Sequence, residues 1–326
     1  MTRLLGNAAA RSAFIEAASG EAMHHAWLFA GPSGVGKAGF ARIAAARLLA
    51  HAADPSVPMT DDPLPAQNRT AALIAAGSHP DYRELRRLPK DADKPDGEVA
   101  RSIRIEQVRS LQALFATKPS LSPRRVVVID AIDDLERPAA NALLKNLEEP
   151  PAGTLFLLVS HAPGRLLPTI RSRCRVLRFA PLEPAEMAQA LRDAMPDADD
   201  AERAALAAGA GGSVGQALGF AGLDMAGLDT ELAAIADGGD ADNMRRARLA
   251  RMLGAKAAQS RYLAFLARVP SFIAARARTR EGADLRTALD AYAAAQELAA
   301  SAPGLSLDPA ATVFEMGGIV ARLAGR

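Results

Sequence analysis

The chain has 326 residues, of which 49% are hydrophobic and 23% charged, and its net charge is +2. Such a length gives two or three domains with ample core, and such a charge is too small to mark a nucleic-acid surface by itself. No apolar run reaches the ~20 residues that span a bilayer, and the single cysteine, Cys174, excludes an internal disulfide and a thiolate cluster for zinc. The N-terminus carries Glu16 and reads as an amphipathic helix rather than a signal peptide, so a cytoplasmic location is expected.

Ala26–Ala30 is a short apolar run that leads directly into Gly31-Pro-Ser-Gly-Val-Gly-Lys37-Ala38. A helical pattern follows, with Phe40, Ile43, Ala44, Leu48 and Leu49 on one face. Strand, glycine loop and helix make up the context of a phosphate-binding loop, whose backbone N–H groups and helix dipole converge on a phosphate. Gly31, Gly36 and Lys37 match G-x-x-x-x-G-K, with Gly34 between them. The next residue should be Ser or Thr, to ligate Mg²⁺, and here it is Ala38.

Residues 51–80 read as an irregular, proline-rich insertion with one short helical stretch at 70–76. A strand is expected within 81–88, and 90–97 reads as a mobile surface loop. Residues 103–117 read as a helix that buries Ile105, Val108, Leu111, Leu114 and Phe115.

Arg125–Cys174 forms the centre of the pattern. Val126–Ile129 and Leu155–Ser160 are near-continuous apolar runs, as expected for strands of a parallel sheet covered on both faces. Between them Pro138 suits a first helical turn, Ala139, Ala142, Leu143, Leu144 and Leu147 form a stripe, and Pro150-Pro151 end the helix. Asp130 closes the first run where a nucleotide-site strand would place its Mg²⁺ carboxylate. A buried strand that ends in a polar turn accounts for Asp130 equally well, because Ala131 stands where a water-activating glutamate would follow. An arginine-rich turn, 171–175, comes before a last strand at 175–179.

Beyond Pro181 the chain reads as a small helical domain to about residue 222. From 223 it is alanine-rich and helical, with Gly238-Gly239, Pro270 and Pro303 placed at turns of a bundle. The five histidines (24, 25, 51, 79 and 161) do not pair at metal spacings, and no Ser-His-Asp arrangement stands out. Cys174 alone reads as a small buried hydrophobe.

HHAWLFAGPSGVGKA, NALLKNLEEPP and LLPTIRSRC, in this order and spacing, resemble the bacterial clamp loader of DNA polymerase III, an AAA+ assembly. The resemblance covers roughly residues 3–220. VVVIDAIDDL, the segment from Val159 to Cys174 and SHPD at Ser78–Asp81 look most like the delta-prime type, and less like the ATP-hydrolysing gamma/tau subunits. The fold it implies is an α/β AAA+ domain over 1–180, a helical lid over 181–222 and an all-α collar over 223–326.

The resemblance further implies a subunit that performs no catalysis alone within the DNA-directed DNA polymerase holoenzyme. It would be a stationary member of the ring that loads the sliding clamp onto primer–template DNA. Its partners would be gamma/tau, delta, the clamp and DNA, with no membrane. Arg173 would be lent to a neighbour's ATP site. The departures at Ala38, Ala131 and Gly215 (where motor subunits place a second sensor arginine) point to a silent site, although Lys37 leaves weak phosphate binding open. Relatives often carry four zinc-binding cysteines in the insertion. This chain has none there, so no metal is expected. An ATP-hydrolysing motor subunit and a phosphate-loop small-molecule kinase are the other two classes. The three departures count against the first. NALLKNLEEPP and the long helical C-terminus have no place in the second.

Overall fold

The computed structural model describes residues 4–20, 23–91, 93–94 and 99–324. The chain divides into two compact units, Met1–Leu182 and Glu183–Arg326, each taken by itself below.

The first unit begins with helix α1 (Ala8–Ser19), strand β1 (Ala26–Ala30), helices α2 (Lys37–Ala53) and α3 (Arg69–Ala75), strand β2 (Tyr82–Arg86) and helix α4 (Ile105–Phe115). It continues through β3 (Arg125–Asp130), α5 (Arg137–Glu148), β4 (Thr154–Ser160), the single turn α6 (Pro168–Arg171) and β5 (Arg175–Arg178). The sheet is wholly parallel, in the order β2-β3-β4-β1-β5. Its three central strands are buried almost end to end, which is why they read as unbroken apolar runs. The edge strands β2 and β5 keep their arginines in solvent, while Glu84 of β2 is half-buried.

Successive strand residues serve opposite faces. Ala26, Leu28, Val127, Ile129, Phe156 and Leu158 share a core with α4 and α5. On the other face Trp27 and Phe29 meet Phe14 of α1 at ring separations of 5.1 and 5.4 Å, and Phe40 of α2 closes the cluster. Helices therefore cover both faces, and each fully buried aromatic contributes about 1.5–3 kcal/mol of burial free energy.

Helix α2 is buried nearly all round rather than on the one face its pattern suggests. Residues 54–63 fold over its outer side, and Arg47 of α2, only 7% exposed, donates to the carbonyls of Pro58, Asp62 and Pro63. Arg11 pairs with Asp61, and His51 Nδ1 bonds Val57 O. The expected loop at 90–97 lies partly outside the described residues.

Within Ser78–Asp81, His79 and Asp81 form a buried brace at the N-terminal end of the strands. The Asp81 carboxylate accepts from the N–H groups of Ser120 and Leu121, and His79 Nδ1 accepts from the Asp81 N–H. The turn before β3 is thereby tied to the start of β2.

The second unit is all helical. It holds α7 (Pro184–Ala194), α8 (Asp200–Gly209), α9 (Val214–Phe220), α10 (Met225–Gly238), α11 (Met244–Leu253), α12 (Gln259–Ala277), α13 (Gly282–Leu305) and α14 (Pro309–Ala321). Leu232, Ile235, Leu253, Phe265, Ile273, Ala291 and Met316 belong to one core shared by α10–α14. Arg268 on α12 donates twice to Asp229 on α10, at 2.7 and 2.9 Å, and Ser271 donates to Gly209 O of α8.

Gly239 ends α10 with φ at 74°, as its turn position suggests. The two prolines read as turn markers are not at turns. Pro270 lies inside α12 and Pro303 inside α13. A mid-helix proline costs about 3 kcal/mol, but α12 buries Phe265, Leu266, Val269, Phe272 and Ile273 around it, and that burial outweighs the lost hydrogen bond. Pro303 sits in the last turn of α13, close to where that helix stops.

Candidate phosphate-loop site and the arginine turn

Gly31–Gly36 joins the end of β1 to the N-terminus of α2. Gly31 cannot carry a side chain, because a Cβ there would lie 2.0 Å from the Phe179 carbonyl oxygen. The Phe179 N–H donates to Ala30 O at 2.8 Å, so the segment after β5 lies alongside the loop. Asn7 holds it there: its side-chain amide donates to Ala180 O and accepts from Ala180 N.

Lys37, the first residue of α2, is 2% exposed. Its Nζ donates to Gly31 O at 2.6 Å and to Pro32 O, which shapes the loop around the ammonium. Burial pushes the Lys37 pKa down to about 8, against the raising influence of Asp133 and Asp130.

The residues that would hold a magnesium ion are arranged differently. Ala38 offers no oxygen. Asp130, at the end of β3, accepts from Arg42 Nη2 at 2.8 Å, and the same nitrogen donates to Glu84 of β2 at 2.6 Å. Arg42 lies a turn and a half beyond Lys37 on α2, so the helix that carries the lysine also supplies a guanidinium to the strand carboxylate. Asp133 is committed elsewhere, accepting from Ser160 Oγ and from the N–H groups of His161 and Ala162. A hydroxyl is missing and the strand carboxylate is already paired with a cation, so this set of residues does not fit a magnesium–nucleotide.

Gly215 sits in the first turn of α9, where Ser213 caps the helix by accepting from the Gln216 N–H. Among the described residues no group of three or more His, Cys, Asp or Glu side chains could hold a metal ion, and no helix is long and apolar enough to cross a membrane. Cys174 is half-buried, its Sγ donates to Ile170 O, and burial pushes its thiol up to about 12, so it is no nucleophile at neutral pH.

Arg173 follows α6 in the turn before β5. Its Nη1 donates to Thr169 O at 2.8 Å, and its Nη2 lies 2.7 Å from Glu148 Oε1, at the end of α5. Both side chains remain partly exposed, at 33% and 47%. NALLKNLEEPP and SRC, which are separate in sequence, thus meet through one ion pair. Sequence reasoning missed Arg42, Glu84 and Arg47 altogether. Glu148 was visible only as part of a motif, because nothing local says which arginine it meets.

Comparison with known proteins bears on what this arrangement belongs to. The family described as "DNA polymerase III, delta subunit" matches residues 6–183. The DNA polymerase III delta-prime subunit of Pseudomonas aeruginosa is 41% identical over 180 residues, 55% of this chain and 50% of that protein. That of Bacillus subtilis is 35% identical over 164 residues, 50% of this chain and 44% of its own. The tau/gamma subunit of Haemophilus influenzae is 31% identical over 169 residues, 52% of this chain and 22% of that protein. The matches span about half the length of these relatives or less. With the parallel sheet, the phosphate loop and the SRC turn in place, and with the family match covering more than half of its residues, the chain belongs to the delta-prime clamp-loader family of DNA polymerase III subunits.

Proposed function

We propose that this chain is the stationary, non-hydrolysing subunit of a ring that opens a sliding clamp and places it on primer–template DNA. Its partners in the ring are gamma/tau and delta subunits, and it works in the cytoplasm. The observation that carries this reading is the contrast within one site. The loop, its glycines and Lys37 keep the shape of a phosphate-binding loop, while the hydroxyl is absent at Ala38 and Arg42 holds the Asp130 carboxylate. Ala131 adds no carboxylate to polarise water. Each such loss typically lowers a phosphoryl-transfer rate by orders of magnitude.

Arg173 is the group this subunit contributes to chemistry. A guanidinium stays charged at all working pH and presents a rigid fork of donors to phosphate oxygens. Its ion pair with Glu148 is partly exposed, and such pairs contribute about 0–1 kcal/mol, so it does not bar Arg173 from a second acceptor. Supplied to the ATP held by a neighbouring subunit, an arginine of this kind is worth ~10³–10⁵ in rate. Residues 223–326 form the collar contact that keeps the ring together, and 181–222 are the lid.

The test is recovery of the tagged chain from its native extract. Co-purification of the other loader subunits, with an assembled ATPase that falls on Arg173→Ala while ring assembly is intact, supports the reading. A lower melting temperature with an unchanged ATPase rate per folded complex would refute the role of Arg173.

A further inference from the structure

We propose that Glu148 is a positioning residue, which sets the orientation of the Arg173 guanidinium before a neighbour's phosphate arrives. The inference rests on the reading of Arg173 as the group lent in trans, and it deepens that reading.

Arg173 reaches out from a turn on a long, flexible side chain, and two acceptors on different elements fix it. The Thr169 carbonyl of α6 takes Nη1, and the Glu148 carboxylate at the end of α5 takes Nη2. Two contacts on separate nitrogens of a planar group define the plane and its rotation. Nη1 also reaches Ser172 Oγ at 3.5 Å, the other donors of the fork are left for a further acceptor, and the group stays one-third exposed.

The backbone of Glu148 is anchored. Glu148 is the last residue of α5, whose inner face is anchored by Ala139, Leu143 and Leu147, and Pro150 and Pro151 follow after Glu149. Arg173 is the ion-pair partner of Glu148 among the described residues. A half-exposed carboxylate with that environment adds little to folding. Its place at the end of a packed helix suits a support that spares the arginine the search for its working orientation. Such pre-orientation matters because a misplacement of about 1 Å in a catalytic group can lower a rate ~10²-fold.

The experiment uses the loader assembled with each variant subunit and reads ATP turnover and KM separately, alongside melting temperature and ring assembly. Glu148→Ala is expected to lower kcat roughly tenfold at the site served by Arg173, with KM for ATP nearly unchanged. Glu148→Gln, which keeps an acceptor oxygen, should recover part of the loss. In combination with Arg173→Ala, Glu148→Ala should cause no further fall, because the residue it positions is gone. A wild-type rate for Glu148→Ala, where Arg173→Ala is impaired, would overturn the proposal and leave the trans-arginine standing. A rise in rate would overturn it too, because the carboxylate would then be a competitor for Arg173. If Arg173→Ala itself leaves the rate unchanged, the underlying reading fails and the positioning role fails with it. Should Glu148→Ala not assemble, Glu148→Gln against wild type still decides, since a kcat-only loss supports positioning and an unchanged kcat refutes it.

Discussion

The Arg42 guanidinium donates to Asp130 at 2.8 Å, and the same nitrogen donates to Glu84 at 2.6 Å. One arginine on the helix behind the phosphate loop thus neutralises carboxylates from two adjacent strands. Replacing Arg42 by Met leaves those two carboxylates facing each other, each less than a quarter exposed. The expected loss is about 1–3 kcal/mol, read from the urea midpoint, and Glu84→Gln in the same chain should return part of it. An unchanged midpoint for Arg42→Met would contradict this account of the pair.

The isolated protein should hydrolyse no ATP above background. The hydroxyl at 38 and the carboxylate at 131 are both absent, and Asp130 is held by Arg42. Steady turnover in a highly purified sample, abolished by Lys37→Ala, would overturn the prediction.

Lys37 carries a pH signature. Its pKa is lowered to about 8 from an ordinary 10.5, so between those values the unfolded chain holds a proton that the folded chain has lost. Stability contributed by this group therefore rises with pH from about 8 to 10.5 and is lowest below pH 8. Lys37→Met should lack that rise, so the difference between the two proteins' unfolding free energies should grow with pH from about 8 to 10.5. A parallel pair of pH–stability curves would argue that the ammonium is not desolvated in solution.

No zinc is expected in the insertion, and Arg47 organises it instead. Arg47→Ala should speed hydrogen exchange across residues 54–63, because three carbonyls lose their donor at once. Stoichiometric zinc after dialysis, or unchanged exchange in the variant, would count against this account.

The C-terminal helices should carry most of the assembly affinity, and the fold says where to cut. Helices α8 and α9 lean on α10 and α12, through Ser271 with Gly209 O and through a Gly209 backbone that closes on Arg268. A fragment 183–326 should fold cooperatively and compete with the full chain for the ring. A chain cut after Gly222 should lose α7–α9 protection as well as assembly. Tight assembly by that truncated chain would refute the collar assignment.

The sequence alone determined much of this protein. The central strands were legible because a strand buried on both faces has no polar position to break its apolar run. The phosphate loop was legible because its spacing is fixed by the backbone, and Ala38 showed as a departure at its end, as Ala131 did after β3. The stripe on α5 was legible because a 3.6-residue period needs no partner to be seen. The prolines misled, because a local rule about helix breaking carries no knowledge of the burial that overrides it at Pro270. Only the tertiary structure decided which charges meet. Arg42 finds Asp130 across 88 positions of sequence, and Glu148 finds Arg173 through the arrangement of α5 against α6. Ion pairs between distant elements have no periodicity and leave no pattern along the chain. Their partners are chosen by the sheet order and the helices laid on it, which the chain completes only when it folds.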